Sequence, residues 1–425
     1  MDHPLSWLFW ALTAAVCLGV PLYAWRVRGR GYAIFGAIVL AVSLPGALLM
    51  HARLVGALPA AALPLANGLF AASLAAAGLH LAALVRARLR SRVFRWAVSI
   101  PGMAFLAAGA LSGLWLLLLL PLRAALSWLG LDGALVALRW LDVLPFALAG
   151  LSIVTSLRQV EEIVRVRLAK DGPDDVARLP VERHRGRRPA PLARRPLRIV
   201  QVADPHLGPW QPVGRLRQRL ERLVAHEPDL VLLTGDFLTM EGAGTPGALA
   251  AALAPLERVA GRCFAIFGNH DHEAADEVRS GLEANGIRLL VDQEALVETP
   301  VGPVQILGAD HVWRERREHL ERLLQRFPRR EGRLRLLLLH DPSAFRHVPK
   351  GAADLTLSGH THGGQLGLVS FGFDWTVLSR SRWPDHGLFG HGSNRLYVHR
   401  GTGFYGFPLR IGVPGELSLL ELVME

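Results

Sequence analysis

Long apolar stretches fill the amino-terminal part of the chain and constrain its fold most strongly. The segment "LSWLFWALTAAVCLGVPLYAW" at 5–25 has 21 residues and no charge, which is long enough to cross the hydrocarbon core of a bilayer. It lacks a basic leading region and a small-residue cleavage site, so we interpret it as a retained helix. Four more spans are predicted at about 32–50, 63–85, 97–120 and 136–157.

The last of these spans differs from the others in carrying charged residues. It contains Arg139 and Asp142, which are three residues apart and would be neighbours on a helix face. The segment 123–140 could instead lie in the membrane interface. The sequence therefore leaves four or five spans open.

The number of spans decides on which side of the membrane the rest of the chain lies. Arginines cluster at 26–30 and 86–95, and positive charge favours cytoplasmic loops. Five spans place the carboxyl-terminal part in the cytoplasm, and four place it outside. We expect five spans and a cytoplasmic carboxyl-terminal part, because residues 158–198 hold eleven Arg and one Lys.

The net charge of +11 is unevenly distributed. Residues 1–198 carry 23 Lys and Arg against 9 Asp and Glu, whereas residues 199–425 carry 24 against 27. The arginines flank apolar spans, so anionic lipid explains them better than nucleic acid does. We expect a lipid bilayer as partner and no nucleic acid.

The pattern changes at Leu197, where strands begin to alternate with helices. Strands are predicted at "LRIVQV", "DLVLL", "CFAIF", "RLRLLLL" and "ADLTLS", separated by helical segments. This order predicts a layered α/β fold over 197–425. We therefore divide the chain into an all-α multi-span transmembrane region (1–157), an Arg- and Pro-rich linker (158–196) and an α/β domain (197–425).

Polar side chains able to bind metals follow each of these strands. Open α/β sheets bind ligands beyond the carboxyl ends of their strands, so these side chains are expected to converge. They are Asp204 and His206, Asp236, Asn269 with His270 and Asp271, His340, and His360 with His362.

The chemistry of these side chains favours two divalent metal ions. Carboxylate, amide oxygen and imidazole without thiolate suit Mn, Fe, Zn or Co. The cysteines, Cys17 and Cys263, form no metal-type cluster. A metal pair bridged by a carboxylate can activate a water for in-line attack on phosphorus. Each motif alone is typical of a polar turn, but all five in order after apolar strands favour the metal site.

These five blocks resemble the calcineurin-like metallophosphoesterase superfamily. The resemblance covers about 197–425 and implies an α/β/β/α sandwich. "GHTHGGQ" (359–365) and the ending "LYVHRGTGFYGFPLRIGVPGELSLLEL" are similar to a bacterial membrane-associated subgroup. Two positions differ from the usual pattern: Pro205 stands where an aliphatic residue is commoner, and Gly415 where a second proline is frequent.

The resemblance also implies two metal sites that share one carboxylate. The implied ligands of the first metal are Asp204, His206 and His362, those of the second are Asn269, His340 and His360, and Asp236 bridges them. His270 would face the scissile phosphate and stabilise charge or protonate the leaving group. Asp271 is expected to orient His270.

The expected function is a membrane-anchored phosphoesterase, specifically a phosphodiesterase. The anchor favours a lipid-linked phosphodiester or pyrophosphate as substrate. A phosphomonoesterase or nuclease of the same fold, a catalytically silent membrane scaffold or sensor, and a transporter gated by hydrolysis are the alternatives. The near-neutral charge of 199–425 disfavours a nuclease, and the lack of a chain of charged residues along the spans disfavours a transport path.

Overall fold

The computed structural model describes residues 4–168, 171–186 and 189–424, and the chain divides into two compact units. One unit comprises Met1–Thr155 and Gly406–Leu409, and the other comprises Ser156–Tyr405 and Arg410–Glu425. The first is helical and the second contains the described strands. The predicted order, an all-helical region followed by a mixed α/β region, is confirmed.

The helical unit consists of apolar helices joined by short turns. They are α1 (Pro4–Val27), α2 (Arg30–Ala57), α3 (Leu63–Val85), α4 (Arg92–Phe94), α5 (Ile100–Leu118), α6 (Leu120–Trp128), α7 (Asp132–Leu141) and α8 (Leu144–Leu157). Among the described residues, five segments are long and apolar enough to cross a membrane. They are Phe9–Val27, Arg30–Ala57, Ala60–Val85, Arg92–Leu118 and Asp132–Leu157.

Small residues allow α5 to approach both α2 and α3 closely. A Cβ added to Gly46 of α2 would lie 3.0 Å from the Cα of Gly113 in α5. A Cβ on Gly102 of α5 would lie 2.8 Å from the carbonyl carbon of Ala76 in α3. Close backbone contact at small residues is the usual packing of apolar helices in lipid, where dispersion forces replace the hydrophobic effect.

Asp142 forms ion pairs other than the one the sequence suggested. It pairs with Arg53 and Arg123 and is buried. Arg139 was the expected partner on a continuous helix. However, α7 ends at Leu141 and Asp142 lies in the turn before α8, so the helical spacing does not apply.

The described residues of the α/β unit form two seven-stranded sheets. In spatial order, the first sheet consists of β3 (Glu182–Arg185), β1 (Gln159–Arg167), β14 (Gly415–Val423), β4 (Leu197–Val202), β5 (Leu230–Leu233), β6 (Cys263–Ala265) and β7 (Arg288–Leu289). The second consists of β2 (Ala177–Leu179), β12 (Gly387–His391), β13 (Asn394–Val398), β11 (Leu355–Ser358), β10 (Leu334–Leu338), β9 (Gly302–Gly308) and β8 (Gln293–Thr299).

The main core lies between the two sheets. Ile199 and Leu232 of the first sheet and Leu336 and Leu357 of the second are fully buried in one cluster. Helices cover the outer faces of the sheets. Because most strands are therefore buried on both faces, their sequences are continuous apolar runs. These helices are α9 (Val213–Val224), α10 (Met240–Ala243), α11 (Ala248–Leu253), α12 (Ala275–Glu283) and α13 (Arg316–Arg326).

The strands that precede the polar motifs run parallel to their neighbours. In the first sheet β4 pairs with β5 and β5 with β6, and in the second β10 pairs with β11, all in parallel. Parallel strands present their carboxyl ends at the same edge. Each sheet therefore brings its polar motifs to one edge.

Residues 158–196 contain strands where the sequence suggested an extended linker. β1 and β3 extend the first sheet beyond β14, and β2 extends the second beyond β12. β1 pairs in parallel with the carboxyl-terminal β14 over nine residues. Val164 and Val166 of β1 are fully buried, although the surrounding arginines and prolines mask this short alternation in the sequence.

Candidate metal centre

The site is formed by turns at the carboxyl ends of five parallel strands. Asp204 and His206 follow β4, and Asp236 follows β5. Asn269 follows β6, His340 follows β10, and the turn with His360 and His362 follows β11. The structure brings all seven predicted ligands together.

Three of these residues form the first group. Asp204, His206 and His362 are buried, and each offers one ligand atom within 4.8 Å of the others. His362 Nε2 lies 4.0 Å from Asp204 Oδ1, and that oxygen also accepts the backbone N–H of His360 at 2.9 Å.

The second group contains Asp236, His340 and His360, again within 4.8 Å of one another. The amide oxygen of Asn269 joins it, because Asn269 Oδ1 lies 3.2 Å from His340 Nε2 and 2.9 Å from His360 Nδ1. His340 Nδ1 lies 2.6 Å from the carbonyl oxygen of Thr234, which fixes its proton on Nδ1 and leaves Nε2 facing the group.

Asp236 lies between the two groups. Its Oδ2 is 3.6 Å from His206 Nε2 in the first group and 3.3 Å from His340 Nε2 in the second. Its Oδ1 accepts the backbone N–H of His270 at 3.0 Å. A single carboxylate thus faces both clusters, as a bridging ligand must.

Burial shifts the pKa values of several predicted ligands. It lowers the pKa of His206 to about 3 and that of His360 to about 4, so both imidazoles are neutral and have a lone pair to donate. Burial raises the pKa of Asp204 to about 7. Burial lowers the pKa of His340 as well, but the Asp236 carboxylate outweighs it and leaves this pKa above its usual range.

The backbone of the site is unusual. Nine non-glycine residues have positive φ in the described part of the chain, and five of them are predicted ligands. Such backbone conformations are costly and cluster where function requires a side chain to point in one direction. The five are Asp204, His206, Asp236, His360 and His362, with φ between 42° and 71°.

The predicted catalytic pair is separated in the structure. His270 is partly exposed at the rim of the site, with Nδ1 3.6 Å from Glu273 Oε1. Asp271 is fully buried, and its carboxylate accepts the backbone N–H groups of Asp236, Phe237 and Gly268 at 2.7 to 2.8 Å. Asp271 therefore orders the Asp236 turn and does not take up the expected position beside the His270 imidazole.

Two side chains that the sequence analysis did not single out line the site. The Tyr405 ring stacks on His206 at 5.2 Å and meets the edge of His270 at 4.8 Å. The ring of His311, three residues after the end of β9, lies 6.0 Å from the His340 ring and 6.3 Å from the His360 ring. His311 follows a strand end like the other motifs, whereas Tyr405 comes from a glycine-rich loop with no such signal.

Arg410 binds the backbone of the turn that contains His360 and His362. Its guanidinium is buried and donates to the carbonyl oxygens of His362 (3.3 Å), Arg400 (2.7 Å) and Gly403 (2.7 Å). Arg400 is fully buried and pairs with Glu162 and Glu416. Its role in the structure is to link β13, β1 and β14.

The residues present fit divalent metal ions. Oδ2 of Asp204 and Nε2 of His206 are buried and have no hydrogen-bond partner among the described residues. Buried polar atoms without a partner are costly, and a bound cation would satisfy both. The donor set of oxygens and imidazole nitrogens is the one that Mn, Fe, Zn and Co accept.

Two packed sheets thus carry two adjoining groups of metal-ligand side chains at the ends of their strands. Residues 197–364 match the model of the calcineurin-like phosphoesterase family. The chain belongs to this family, since it is 31% identical over 234 residues to phosphodiesterase YaeI of Escherichia coli, covering 54% of this chain and 83% of that protein.

Two further relatives differ in size and organism. UDP-2,3-diacylglucosamine pyrophosphatase LpxG of Chlamydia trachomatis is 26% identical over 285 residues, covering 54% of this chain and 84% of that protein. A transmembrane protein with a metallophosphoesterase domain from Danio rerio is 32% identical over 255 residues, covering 53% of each. The predicted family is thereby confirmed, and membership of the "GHTHGGQ" subgroup stays a prediction.

Proposed function

We propose that this protein is a membrane-anchored phosphodiesterase that uses two divalent metal ions. The observation that carries the proposal is the position of Asp236, whose Oδ2 faces His206 at 3.6 Å and His340 at 3.3 Å. Asp204, His206 and His362 would hold one ion, and Asn269, His340 and His360 the other. When bound, the ions would supply Lewis-acid activation of water and neutralise charge on the phosphoryl oxygens.

The chain's own residues would do the remaining work. Asp271 keeps Asp236 in place through the backbone, and the carbonyl oxygen of Thr234 keeps His340 Nε2 facing inward. His270 belongs to neither ligand group and is partly exposed, so its imidazole is free to donate a proton to the leaving oxygen. Tyr405 packs against this ring and restricts its orientation.

The test of the chemistry is hydrolysis of bis-p-nitrophenyl phosphate by the purified full-length protein with Mn²⁺. We expect turnover by the wild type and none by Asp236→Asn. Asp174→Asn is the matched control, because Asp174 has a 99% exposed side chain and lies outside both ligand groups. A wild type that is inactive with Mn, Fe, Zn and Co would contradict the proposal and favour the silent scaffold.

Comparison of substrates separates the enzymatic alternatives. Faster hydrolysis of p-nitrophenyl phosphate than of the diester would favour a phosphomonoesterase, and cleavage of single-stranded DNA would favour a nuclease. Residues 199–425 have a net charge of −3, from 24 Lys and Arg against 27 Asp and Glu. A nuclease would need an excess of basic residues to bind the phosphate backbone, so this charge disfavours a nuclease.

The proposed substrate is a lipid-linked phosphodiester or pyrophosphate. Five apolar segments able to cross a membrane support it, and so does a relative named for pyrophosphatase action on a diacylated sugar nucleotide. Lipid profiles of a deletion strain and an Asp236→Asn strain should show the same accumulating phosphoester. An unchanged lipid profile in both strains would contradict a lipid-linked substrate and favour a soluble one.

We further propose that the protein lies in a bacterial inner membrane with its catalytic unit in the cytoplasm. An odd number of crossings places the two chain ends on opposite sides, and the arginines at 26–30 and 86–95 favour the cytoplasmic side for the first and third loops. A carboxyl-terminal fusion to green fluorescent protein should fluoresce, and one to alkaline phosphatase should be inactive. The reverse result would support four spans.

A further inference from the structure

Exposed apolar side chains of the α/β unit are concentrated in one loop. Eight large apolar side chains are exposed among the described residues after 157, and five of them fall within 368–377. These five are Leu368, Phe371, Phe373, Trp375 and Val377. An exposed apolar cluster of this kind marks an interaction surface, whereas scattered single side chains do not. We call residues 366–383 the apolar loop.

The backbone holds the tip of this loop away from the core. The N–H of Leu368 donates to Trp375 O at 2.9 Å, and the N–H of Val377 donates to Leu366 O at 3.0 Å. Gly372 turns the chain with φ 87°. Because the tip is closed by its own hydrogen bonds, Phe371 and Phe373 remain 71% and 62% exposed.

Buried anchors join the base of the loop to the candidate metal centre. Thr376 is buried, and its hydroxyl donates to the Asp385 carboxylate. The carbonyl oxygen of Asp385 accepts the hydroxyl of Thr361 at 2.6 Å, and Thr361 lies between His360 and His362. The exposed tip and the last ligand turn are therefore parts of one continuous structure.

The composition of the loop fits the surface of an anionic bilayer. Phe and Trp side chains favour the membrane–water interface, where an apolar ring contacts acyl chains. Arg380 and Arg382 are exposed in the same loop and would complement anionic headgroups. The one acid of the loop, Asp374, lies 4.0 Å from His386 Nε2. The same chain also has five apolar segments long enough to cross a bilayer, so a lipid surface would be nearby.

We propose that the apolar loop inserts its aromatic tip into the interfacial region of an anionic lipid bilayer and so brings the metal centre to the lipid surface. The occupant is lipid because aromatic tip, flanking arginines and membrane-competent helices occur in one chain. This inference goes beyond the proposed reaction, since membrane contact by the loop does not depend on what the site hydrolyses.

Depth-dependent quenching in nanodiscs tests the proposal on the full-length chain. Cys17 is exposed and is replaced by serine, whereas Cys263 is buried and is kept. A bimane label at Phe373→Cys reports on the tip, and one at Leu296→Cys is the control, since Leu296 is also an exposed apolar residue of this unit. Lipids with doxyl groups quench labels in the bilayer, and iodide quenches labels in water.

We expect doxyl lipid to quench the label at 373 several-fold more than the label at 296. This difference should grow with the fraction of phosphatidylglycerol and shrink in an Arg380→Gln, Arg382→Gln background. Equal doxyl quenching at both positions with free access of iodide would overturn the proposal. Protection from both quenchers would also overturn it and would indicate a protein partner on the tip.

A kinetic measurement separates this inference from the proposed function. A Phe371→Ser, Phe373→Ser variant should hydrolyse soluble bis-p-nitrophenyl phosphate like the wild type and lose activity on a phosphodiester carried by vesicles. The quenching result stands even if the wild type proves inactive. Equal loss on both substrates would show that the tip supports the site itself and not its approach to lipid.

Discussion

Asp271 supports Asp236 from behind the candidate metal centre: the backbone N–H of Asp236 donates to Asp271 Oδ2 at 2.7 Å. The same oxygen accepts the N–H of Gly268 at 2.8 Å, which joins the turns after β5 and β6. The position of the proposed bridging carboxylate thus depends on a second, fully buried carboxylate. Burial raises the pKa of Asp271 to about 7, and the neighbouring Asp236 charge acts in the same direction.

Asp271→Asn should weaken metal binding. The amide offers one acceptor oxygen where the carboxylate offers two, so one of the three backbone N–H groups loses its partner. Loss of such a supporting group lowers metal affinity or activity about 10- to 100-fold. Bound Mn²⁺ measured by mass spectrometry after dialysis should fall, whereas Asp174→Asn should retain wild-type metal. Unchanged metal content in Asp271→Asn would argue against this role.

His270→Asn should reduce turnover without removing metal. His270 belongs to neither ligand group, and its imidazole lies at the rim of the site. A general acid contributes about 100- to 10,000-fold to rate, so kcat on bis-p-nitrophenyl phosphate should fall by that range. Metal content and thermal stability are the controls, and a loss of metal equal to that in His206→Asn would show that His270 is a ligand.

Tyr405 should matter through its ring. The ring stacks on His206 and meets the edge of His270, contacts that Phe can also make. We expect Tyr405→Phe to keep most of the activity and Tyr405→Ala to lower kcat/KM and change its pH profile. If Phe and Ala are equally impaired, the hydroxyl and not the ring is the important group.

Glu416 should make the fold acid-sensitive. Burial raises its pKa, but the neighbouring His399 imidazole and the Arg400 and Arg183 guanidiniums outweigh burial and hold the pKa well below the usual 4.5. A depressed carboxyl pKa adds stability above the unfolded-state value, and this stability is lost as the pH falls below about 4.5. The thermal midpoint of the detergent-solubilised protein should therefore fall more steeply with acid in the wild type than in Glu416→Gln.

Glu331→Gln provides the reference for that measurement, because Glu331 is exposed. The thermal midpoint of Glu331→Gln should show the same pH dependence as that of the wild type. Parallel pH profiles for the wild type and Glu416→Gln would show that the buried network of Arg400 and Glu416 carries no proton-linked stability.

The sequence predicted the class of fold and the convergence of the site because both follow from local patterns. Continuous apolar strands such as β4 and β5 end in polar turns, and parallel pairing makes those ends coincide. The same rule places His340 and His360 of the second sheet, since β10 and β11 are also parallel neighbours.

The features that the sequence missed depend on contacts between distant segments. β1 pairs with β14, more than 250 residues away, and no local signal announces such a pairing. Tyr405 reaches His206 from a loop, and the Asp271 carboxylate binds backbone N–H groups, which any sequence possesses. Periodicity and composition do not encode these relationships.

The five candidate ligands have a left-handed backbone conformation, which lowers the stability of the fold at the positions that metal binding requires. Glycine adopts positive φ without strain, so Asp236→Gly or His360→Gly would relieve the backbone while removing a ligand. Selection of this protein for heat resistance alone, in the absence of metal, would therefore enrich variants that have lost the centre. Thermostability screens on this chain would need a metal-dependent readout to avoid selecting inactive scaffolds.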